Sequence, residues 1–227
     1  THGYRMYAIT VDTEGGTCFM QPSQSARHRS GRMLPDIPLE EIILRETIVL
    51  TIPKKQREVI EADDIETAFR ASRMRDGDAV LVRTGWGDDE RYFDKSLDYV
   101  LDTPHYSKAG ATRLAEHMVR RKSNLFLSDT ALLGYPEKHF IPEWCSRRPR
   151  PPNYPSPEAK EYLKTYTKER MKEDWEAFEA FPPNNITACK CLANCAKIGK
   201  ERIKLIVLPL KILGAPSSTC RIVAVEE

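Results

Sequence analysis

The chain has 227 residues, of which 41% are apolar and 30% charged, and its formal net charge is +2. This length is enough to bury a substantial core, whereas so small a net charge creates no strong field for nucleic acid or a membrane surface. No apolar stretch approaches the roughly 18 residues of a membrane span, so we expect a cytoplasmic protein whose partner is a small molecule or another protein.

The first half of the chain alternates between strand and helix patterns. Residues 4–11 and 47–52 carry the apolar and β-branched runs typical of strands. A helix is predicted over 62–73, because acidic residues occupy its first turn and apolar residues recur at helical spacing. The continuous apolar run at 79–83 then predicts a buried strand. Together these segments form a strand–helix–strand unit.

The alternation continues towards the end of the chain. Ser107 can cap a helix over 108–121, in which apolar residues again fall at helical spacing. Strands are predicted at 124–128, 204–210 and 221–225. The fold class expected from this order of elements is α/β.

Residues 136–183 differ in composition from the rest. A Pro- and Arg-rich stretch at 147–152 precedes a charged helix that begins near Ser156 and carries a partial aromatic stripe. We expect this helical excursion to pack its stripe on the body of the protein or on a second subunit. A nucleic-acid-binding arm is the weaker alternative, because no aromatic platform interleaves with the basic residues. The prediction is a single domain over 1–227 with this inserted segment.

Three segments resemble the cyclase family, which includes bacterial kynurenine formamidase and isatin hydrolase. Residues 77–86 read Gly-Asp-Ala-Val-Leu-Val-Arg-Thr-Gly-Trp, and the segments 106–130 and 208–216 resemble later parts of the family in the same order. The resemblance implies an α/β fold with a swivelling β/β/α core, assembled as a homodimer or homotetramer. It also implies an enzyme that hydrolyses an amide or lactone.

The chemistry of that family depends on the pattern His-x-Gly-Thr-His-x-Asp-x-Pro-x-His, whose side chains hold one or two divalent metal ions. Such an ion polarises a carbonyl group and supplies hydroxide near neutral pH. The matching stretch at 14–24 keeps Gly16, Thr17 and Pro22. The four ligand positions are occupied instead by Glu14, Cys18, Met20 and Gln24.

From these substitutions we expect no metal cofactor, because a thioether and an amide are poor replacements for carboxylate and imidazole donors. Zinc or manganese is the alternative. In that case Glu14 and Cys18 could join the thiolates of Cys189, Cys191 and Cys195, provided that the loops meet.

Lys190 aligns with a glutamate that the family has late in the chain. An ammonium group there would supply positive charge and could pair with Glu14. On this basis the candidate catalytic residues are Glu14, Cys18 and Lys190, with Glu14 or Lys190 as general acid or base and Cys18 as nucleophile. The nucleophile role assumes that the nearby cation lowers the pKa of the thiol. The alternative is a structural plug in a scaffold that has lost its chemistry.

Six residues are candidates to contact a substrate: Thr17, Met20, Gln24, His28, Trp86 and His139. Of these, His28 lies among arginines and is more typical of a solvated loop, while Trp86 is more typical of a core or pocket wall. The sequence therefore favours a cyclase-family enzyme acting on a cyclic or acylated small molecule, by hydrolysis or by a related lyase or cyclisation step. A non-catalytic homologue that binds a ligand or stabilises a partner subunit is the alternative.

Overall fold

The computed structural model describes residues 13–25, 27–88, 99–100, 102–131, 133–134 and 177–226. The strands of this part are β1 (Cys18–Met20), β2 (Arg45–Thr51), β3 (Val59–Ile60), β4 (Ala79–Arg83), β5 (His105–Tyr106), β6 (Leu125–Ser128), β7 (Thr187–Lys190), β8 (Arg202–Pro209) and β9 (Ser217–Val225). Its two longer helices are α1 (Ala62–Ala71) and α2 (Lys108–Arg120).

Seven of these strands form a closed barrel in the order β1-β7-β6-β4-β2-β8-β9, in which β9 also pairs with β1. The neighbours β2, β4, β6 and β7 run parallel, and the pairs made by β1, β8 and β9 are antiparallel. Helix α1 connects β2 to β4 and α2 connects β4 to β6, as parallel neighbours require a crossover. The last residues of the four parallel strands therefore meet at one end of the barrel, here called its carboxyl end.

Side chains alternate between the two faces of the barrel wall. One cluster, which includes Phe19, Leu81 and Leu127, contains no residue of α1 or α2 and fills the interior. The other cluster joins outward-facing strand residues such as Val80 and Phe126 to both helices. Because the outer face is covered as well, β4 and β6 are buried along most of their length.

The predicted strands at 47–52, 79–83, 124–128, 204–210 and 221–225 are confirmed by β2, β4, β6, β8 and β9. Helices α1 and α2 confirm the two helices predicted over 62–73 and 108–121. The fold class is α/β, as expected. The strand predicted at 4–11 and most of the 136–183 excursion lie outside the described residues, so the single-domain organisation stays a prediction. In the part of the chain that the structure describes, no helix is long and apolar enough to span a membrane.

Candidate functional site

The pairing of β1 with β7 brings two of the candidate residues together. Cys18 lies directly opposite Lys190 in this antiparallel pair, so both side chains project from the same face of the barrel wall. The segment that leads into β1 places Glu14 beside them, and Nζ of Lys190 donates a hydrogen bond to Oε2 of Glu14 at 3.1 Å. The expected pairing of Lys190 with Glu14 is therefore observed at the carboxyl end of β7.

Gln24 completes what we call the Glu14–Lys190 site, which comprises Glu14, Cys18, Gln24 and Lys190. Its Nε2 donates to Oε1 of Glu14, so each oxygen of the carboxylate accepts a hydrogen bond. The side chain of Glu14 is 28% exposed, whereas that of Lys190 is 9% exposed. A ligand could therefore reach the carboxylate more readily than the ammonium.

The charge on Lys190 is set by two opposing effects. Burial is the largest single effect and disfavours the ammonium form, but the adjacent carboxylate of Glu14, together with contributions from Cys18 and Cys191, outweighs it, and the pKa of Lys190 lies above its ordinary value. At neutral pH Lys190 is consequently charged and cannot accept a proton. The expectation that it could act as a general base is not supported; it offers a fixed positive charge and N–H donors instead.

Cys18 differs from the expectation for a nucleophile. Its side chain is 0% exposed and packs in the cluster that contains Met20. Burial raises the pKa of the Cys18 thiol to about 12, although Lys190 acts in the opposite direction. The expected lowering of its pKa is therefore wrong, because desolvation of the thiolate outweighs the nearby cation. Cys18 is a neutral thiol at physiological pH.

Thr17 holds the backbone that follows Lys190. Its Oγ1 donates to the carbonyl oxygen of Cys191 at 2.6 Å. The backbone N–H of Cys191 donates to the carbonyl oxygen of Thr130 at 2.9 Å, and its Sγ donates to that of Ala131 at 3.3 Å. The hydroxyl hydrogen of Thr17, a candidate for substrate contact, is thus used within the protein.

The other candidate substrate contacts are more dispersed. Met20 is buried in the outer cluster of the core. Trp86 is also buried, stacks on Tyr99 at 5.5 Å between ring centroids, and donates from Nε1 to the carbonyl oxygen of Tyr99. His28 is half-buried in the loop after β1, where its backbone N–H donates to Ser25. His139 lies outside the described residues. Among these candidates only Gln24 reaches the Glu14–Lys190 site through a described contact.

Sequence reasoning missed Asp129, which follows β6 at the carboxyl end of the barrel. Its carboxylate is 0% exposed and accepts hydrogen bonds from the backbone N–H groups of Thr84 and Gly85 at 2.9 Å, and from Oγ1 of Thr84 at 2.8 Å. Burial raises the pKa of Asp129, and these donors oppose the shift. The available signal was its position, since a carboxylate directly after a buried parallel strand lies where α/β proteins place functional groups.

A cavity of about 340 Å³ opens beside Thr17. Its walls combine Leu81 and Leu205 of the barrel interior with Asn194 and Arg221 near the entrance. This volume lies within the range of small-molecule sites, roughly 300–1,000 Å³. None of the four residues of the Glu14–Lys190 site lines this cavity, whose walls include residues of the barrel interior, so the cavity is not part of that site.

A protein-bound metal ion needs several ligand side chains that converge on one point. Within the described residues there is no group of three or more His, Cys, Asp or Glu side chains that could hold one. Both oxygens of Glu14 already accept hydrogen bonds, and burial raises the pKa of the Cys18 and Cys191 thiols. A metal needs the thiolate form as its ligand, so these residues by themselves do not fit a metal ion.

Comparison with known proteins gives a family and a set of similar folds. The Cyclase family model, described as "Putative cyclase", matches residues 5–131. No curated protein matches the chain. Isatin hydrolase A from Labrenzia aggregata, bound to benzyl benzoate, has a TM-score of 0.67 at 18% identity, with 99% of this chain and 78% of that chain covered.

Two further solved structures are similar. Isatin hydrolase A from Ralstonia solanacearum has a TM-score of 0.61 at 19% identity, over 94% of this chain and 73% of that chain. A protein from Bacillus stearothermophilus described as a predicted metal-dependent hydrolase has a TM-score of 0.61 at 16% identity, over 99% and 83% of the respective chains. At these identities the likeness establishes a common fold.

The expectation of no metal cofactor is contradicted by this comparison. One of the similar structures is described as a predicted metal-dependent hydrolase and another as a potential metal-dependent hydrolase with cyclase activity, which points to a metal cofactor. That expectation was based on the residues at the four ligand positions, which are Glu14, Cys18, Met20 and Gln24. A motif lost at one place does not exclude metal ligands from elsewhere in the chain. No ligand set for such an ion can be drawn from the described residues alone.

Proposed function

This chain belongs to the cyclase family, and from that premise we propose that it is a hydrolase-like enzyme that opens a small cyclic amide or lactone, or cleaves an acylated small molecule. Similar solved structures include isatin hydrolases, one of them bound to the product analogue thioisatinate.

The observation that carries this proposal is the ion pair of Glu14 with the buried Lys190. Moving an ammonium group out of water costs several kcal/mol unless a partner compensates it, and proteins concentrate such perturbed groups at functional sites. The pair lies at the carboxyl end of the parallel strands, where α/β folds bind their ligands. Replacing a buried ion pair by apolar residues of similar volume is often neutral or stabilising, so stability alone does not explain the pair.

Lys190 and Glu14 would have distinct roles in the reaction. An ammonium group has three donors, and one of those on Lys190 is used by Glu14. Another would donate to the carbonyl oxygen of the substrate and stabilise the oxyanion that forms when water attacks. Glu14 would accept a proton from that water as its oxygen bonds to the carbonyl carbon. The proton would then pass to the nitrogen or oxygen that leaves as the ring bond breaks.

Cys18 has a supporting role in this scheme. Its neutral, buried thiol fills space behind Lys190 and forms no bond to the substrate.

A second candidate function is that of a non-catalytic homologue. Both oxygens of Glu14 accept hydrogen bonds from groups of the protein itself, Lys190 and Gln24. A site satisfied in this way could bind a ligand or stabilise a partner subunit without turnover.

Turnover measurements separate the two functions. Purified protein would be assayed on cyclic amides, lactones and N-acyl amines, with added zinc or manganese and with a chelator. In the enzymatic case Lys190→Met and Glu14→Gln each lower kcat/KM by about 10²-fold or more, whereas Lys197→Met, which changes an exposed lysine in the segment after β7, leaves it unchanged. Ligand binding by a wild-type protein without turnover on any of these substrates would favour the non-catalytic homologue.

A further inference from the structure

The carboxylate of Asp129 accepts its hydrogen bonds from a single turn of the chain. Both oxygens of its carboxylate accept from the backbone N–H of Thr84, and one accepts from that of Gly85. Oγ1 of Thr84 donates to the carboxylate as well. The carboxylate, at the end of β6, therefore fixes the start of residues 84–88, which follow β4 and are here called the 84–88 turn.

The 84–88 turn packs directly against the chain that leaves β7. A Cβ atom on Gly87 would lie 1.9 Å from the carbonyl oxygen of Leu192, so the two backbones touch without room for a side chain. Further along, Oδ2 of Asp88 accepts a hydrogen bond from the backbone N–H of Ala196 at 2.9 Å. The turn is thus a support for the segment that follows Lys190.

That segment begins in a conformation that its own residues do not favour. Cys191, directly after Lys190, has a φ of 57°, in the left-handed region that non-glycine residues seldom adopt. Contacts from outside hold it there, namely those of Thr17 and Thr130 with Cys191 and a hydrogen bond from Leu192 to the carbonyl oxygen of Ser128. The direction of the chain after β7 is therefore imposed by Thr17 and the end of β6, with the 84–88 turn packed against Leu192 beside them.

We propose that Asp129 is a positioning residue for Lys190. By holding the 84–88 turn against Leu192, its carboxylate fixes the chain immediately after β7 and with it the place of the ammonium group beside Glu14. The functional meaning of this placement rests on the proposed role of Lys190 in catalysis. The placement itself can be measured without any substrate.

Three substitutions and one control test the proposal. Asp129→Asn puts an N–H₂ group where carboxylate oxygens accept from Thr84 and Gly85. Gly87→Ala pushes the turn away from Leu192 and leaves Asp129 intact. Thr84→Val removes the Oγ1 donor to Asp129 and the acceptor of the Trp86 backbone N–H, but keeps the side-chain shape and the two backbone donors to Asp129, so it is the mildest of the three variants. Gly199→Ala is the control, because its new Cβ would meet only Glu226 at an ordinary 3.7 Å.

The readout is the reactivity of Lys190 towards an amine-acylating reagent as a function of pH, followed by mass spectrometry of its peptide. In wild type the buried, paired ammonium reacts slowly. Asp129→Asn and Gly87→Ala should each raise its labelling at pH 9 about tenfold, the change that one pKa unit gives. Thr84→Val should raise it about threefold, for roughly half a unit. Gly199→Ala should leave it unchanged, and exposed Lys197 should react equally in every variant.

Folding of each variant is checked by circular dichroism. Unchanged labelling of Lys190 in the folded variants would overturn the proposal, as would an equal rise in Gly199→Ala. If Asp129→Asn and Gly87→Ala do not fold, Thr84→Val decides. Because no substrate is involved, a failure of the proposed hydrolysis would show in the turnover assay and leave this result standing.

Discussion

At the scale of single residues, the ion pair of Glu14 and Lys190 decides how this site behaves. In Glu14→Gln the buried ammonium keeps its desolvation cost and loses its compensating charge. We expect unfolding free energy to fall by about 1–3 kcal/mol, less than for a fully buried pair because Glu14 is 28% exposed. Urea denaturation at pH 7 measures this loss. Glu40→Gln, which changes an exposed carboxylate, is the control, and an equal loss in both would contradict the prediction.

The pH dependence of the same pair follows from the raised pKa of Lys190. A lysine whose pKa is higher in the folded than in the unfolded protein adds stability that is complete below the unfolded value and is lost as pH rises through the folded value. The ordinary value is 10.5. The difference in unfolding free energy between wild type and Glu14→Gln should therefore be constant from pH 7 to 9 and shrink above pH 10.5. A difference that grows in alkali would refute this assignment.

Cys18 gives a separate prediction at this scale. Since its thiol is buried and has a pKa of about 12, Cys18→Ala should leave kcat within about threefold of wild type while lowering stability by about 1 kcal/mol through lost packing. Steady-state kinetics and urea denaturation test the two parts. A covalent adduct on Cys18 during turnover, or a loss of activity comparable to that of Lys190→Met, would restore it as the nucleophile.

At the scale of elements, the strands that can be predicted are those with long apolar runs. Strands β2, β4, β6, β8 and β9 carry such runs, and their alternation with α1 and α2 identifies the α/β fold. Strands β1 and β7 have only three and four residues, and β7 ends on a charged lysine. Strand β6 also has four residues, but it contains the apolar run Leu-Phe-Leu, whereas β7 reads Thr-Ala-Cys-Lys and β1 is shorter still. The pairs that close the barrel could therefore not be predicted from local pattern.

The residues of the candidate site are even harder to predict from local sequence patterns. Glu14 and Lys190 are 176 residues apart, and no local sequence pattern relates them. Their pairing could be predicted only from the resemblance to a family motif. The resemblance predicted a positive charge near Cys18, which would lower the pKa of its thiol. It did not predict the burial that raises this pKa, because that burial depends on side chains from both strands and helices. Asp129 was missed for a related reason, since its partners belong to a turn 45 residues earlier in the chain.

Helix α2 provides a prediction at the element scale, because one of its glycines is tightly packed. A helical Gly→Ala change ordinarily stabilises by roughly 0.5–1 kcal/mol. At Gly110, however, the new Cβ would lie 2.3 Å from the carbonyl oxygen of Ile60 in β3. The backbones of α2 and β3 would have to separate, so Gly110→Ala should destabilise the protein by about 1–3 kcal/mol. Thermal unfolding beside Gly199→Ala measures this, and a higher melting temperature would contradict it.

At the scale of the whole molecule, a group of large apolar side chains remains exposed near the turn that joins β8 and β9. They are Leu208, Leu210, Ile212, Leu213 and Val223, with exposures from 37% to 91%. Single exposed apolar residues are ordinary, but a group of them along one turn and its flanking strands is typical of surfaces that bind another protein. We propose that this surface, here called the β8–β9 surface, joins copies of the chain into the homodimer or homotetramer that the cyclase resemblance implies.

Light scattering coupled to size-exclusion chromatography at micromolar concentration tests the proposed assembly. Wild type should elute with two or four times the 26.0 kDa mass of one chain. Leu213→Lys should shift the mass to that of one chain, because a lysine buried in an apolar interface would be desolvated without a partner. Leu213 is 91% exposed, so the monomer itself should keep its stability. Leu39→Lys, at a 67% exposed leucine outside the β8–β9 surface, is the matched control and should leave the assembly intact. A wild-type mass of 26.0 kDa at every concentration would exclude the proposed assembly, and an assembly that survives Leu213→Lys would place its interface elsewhere.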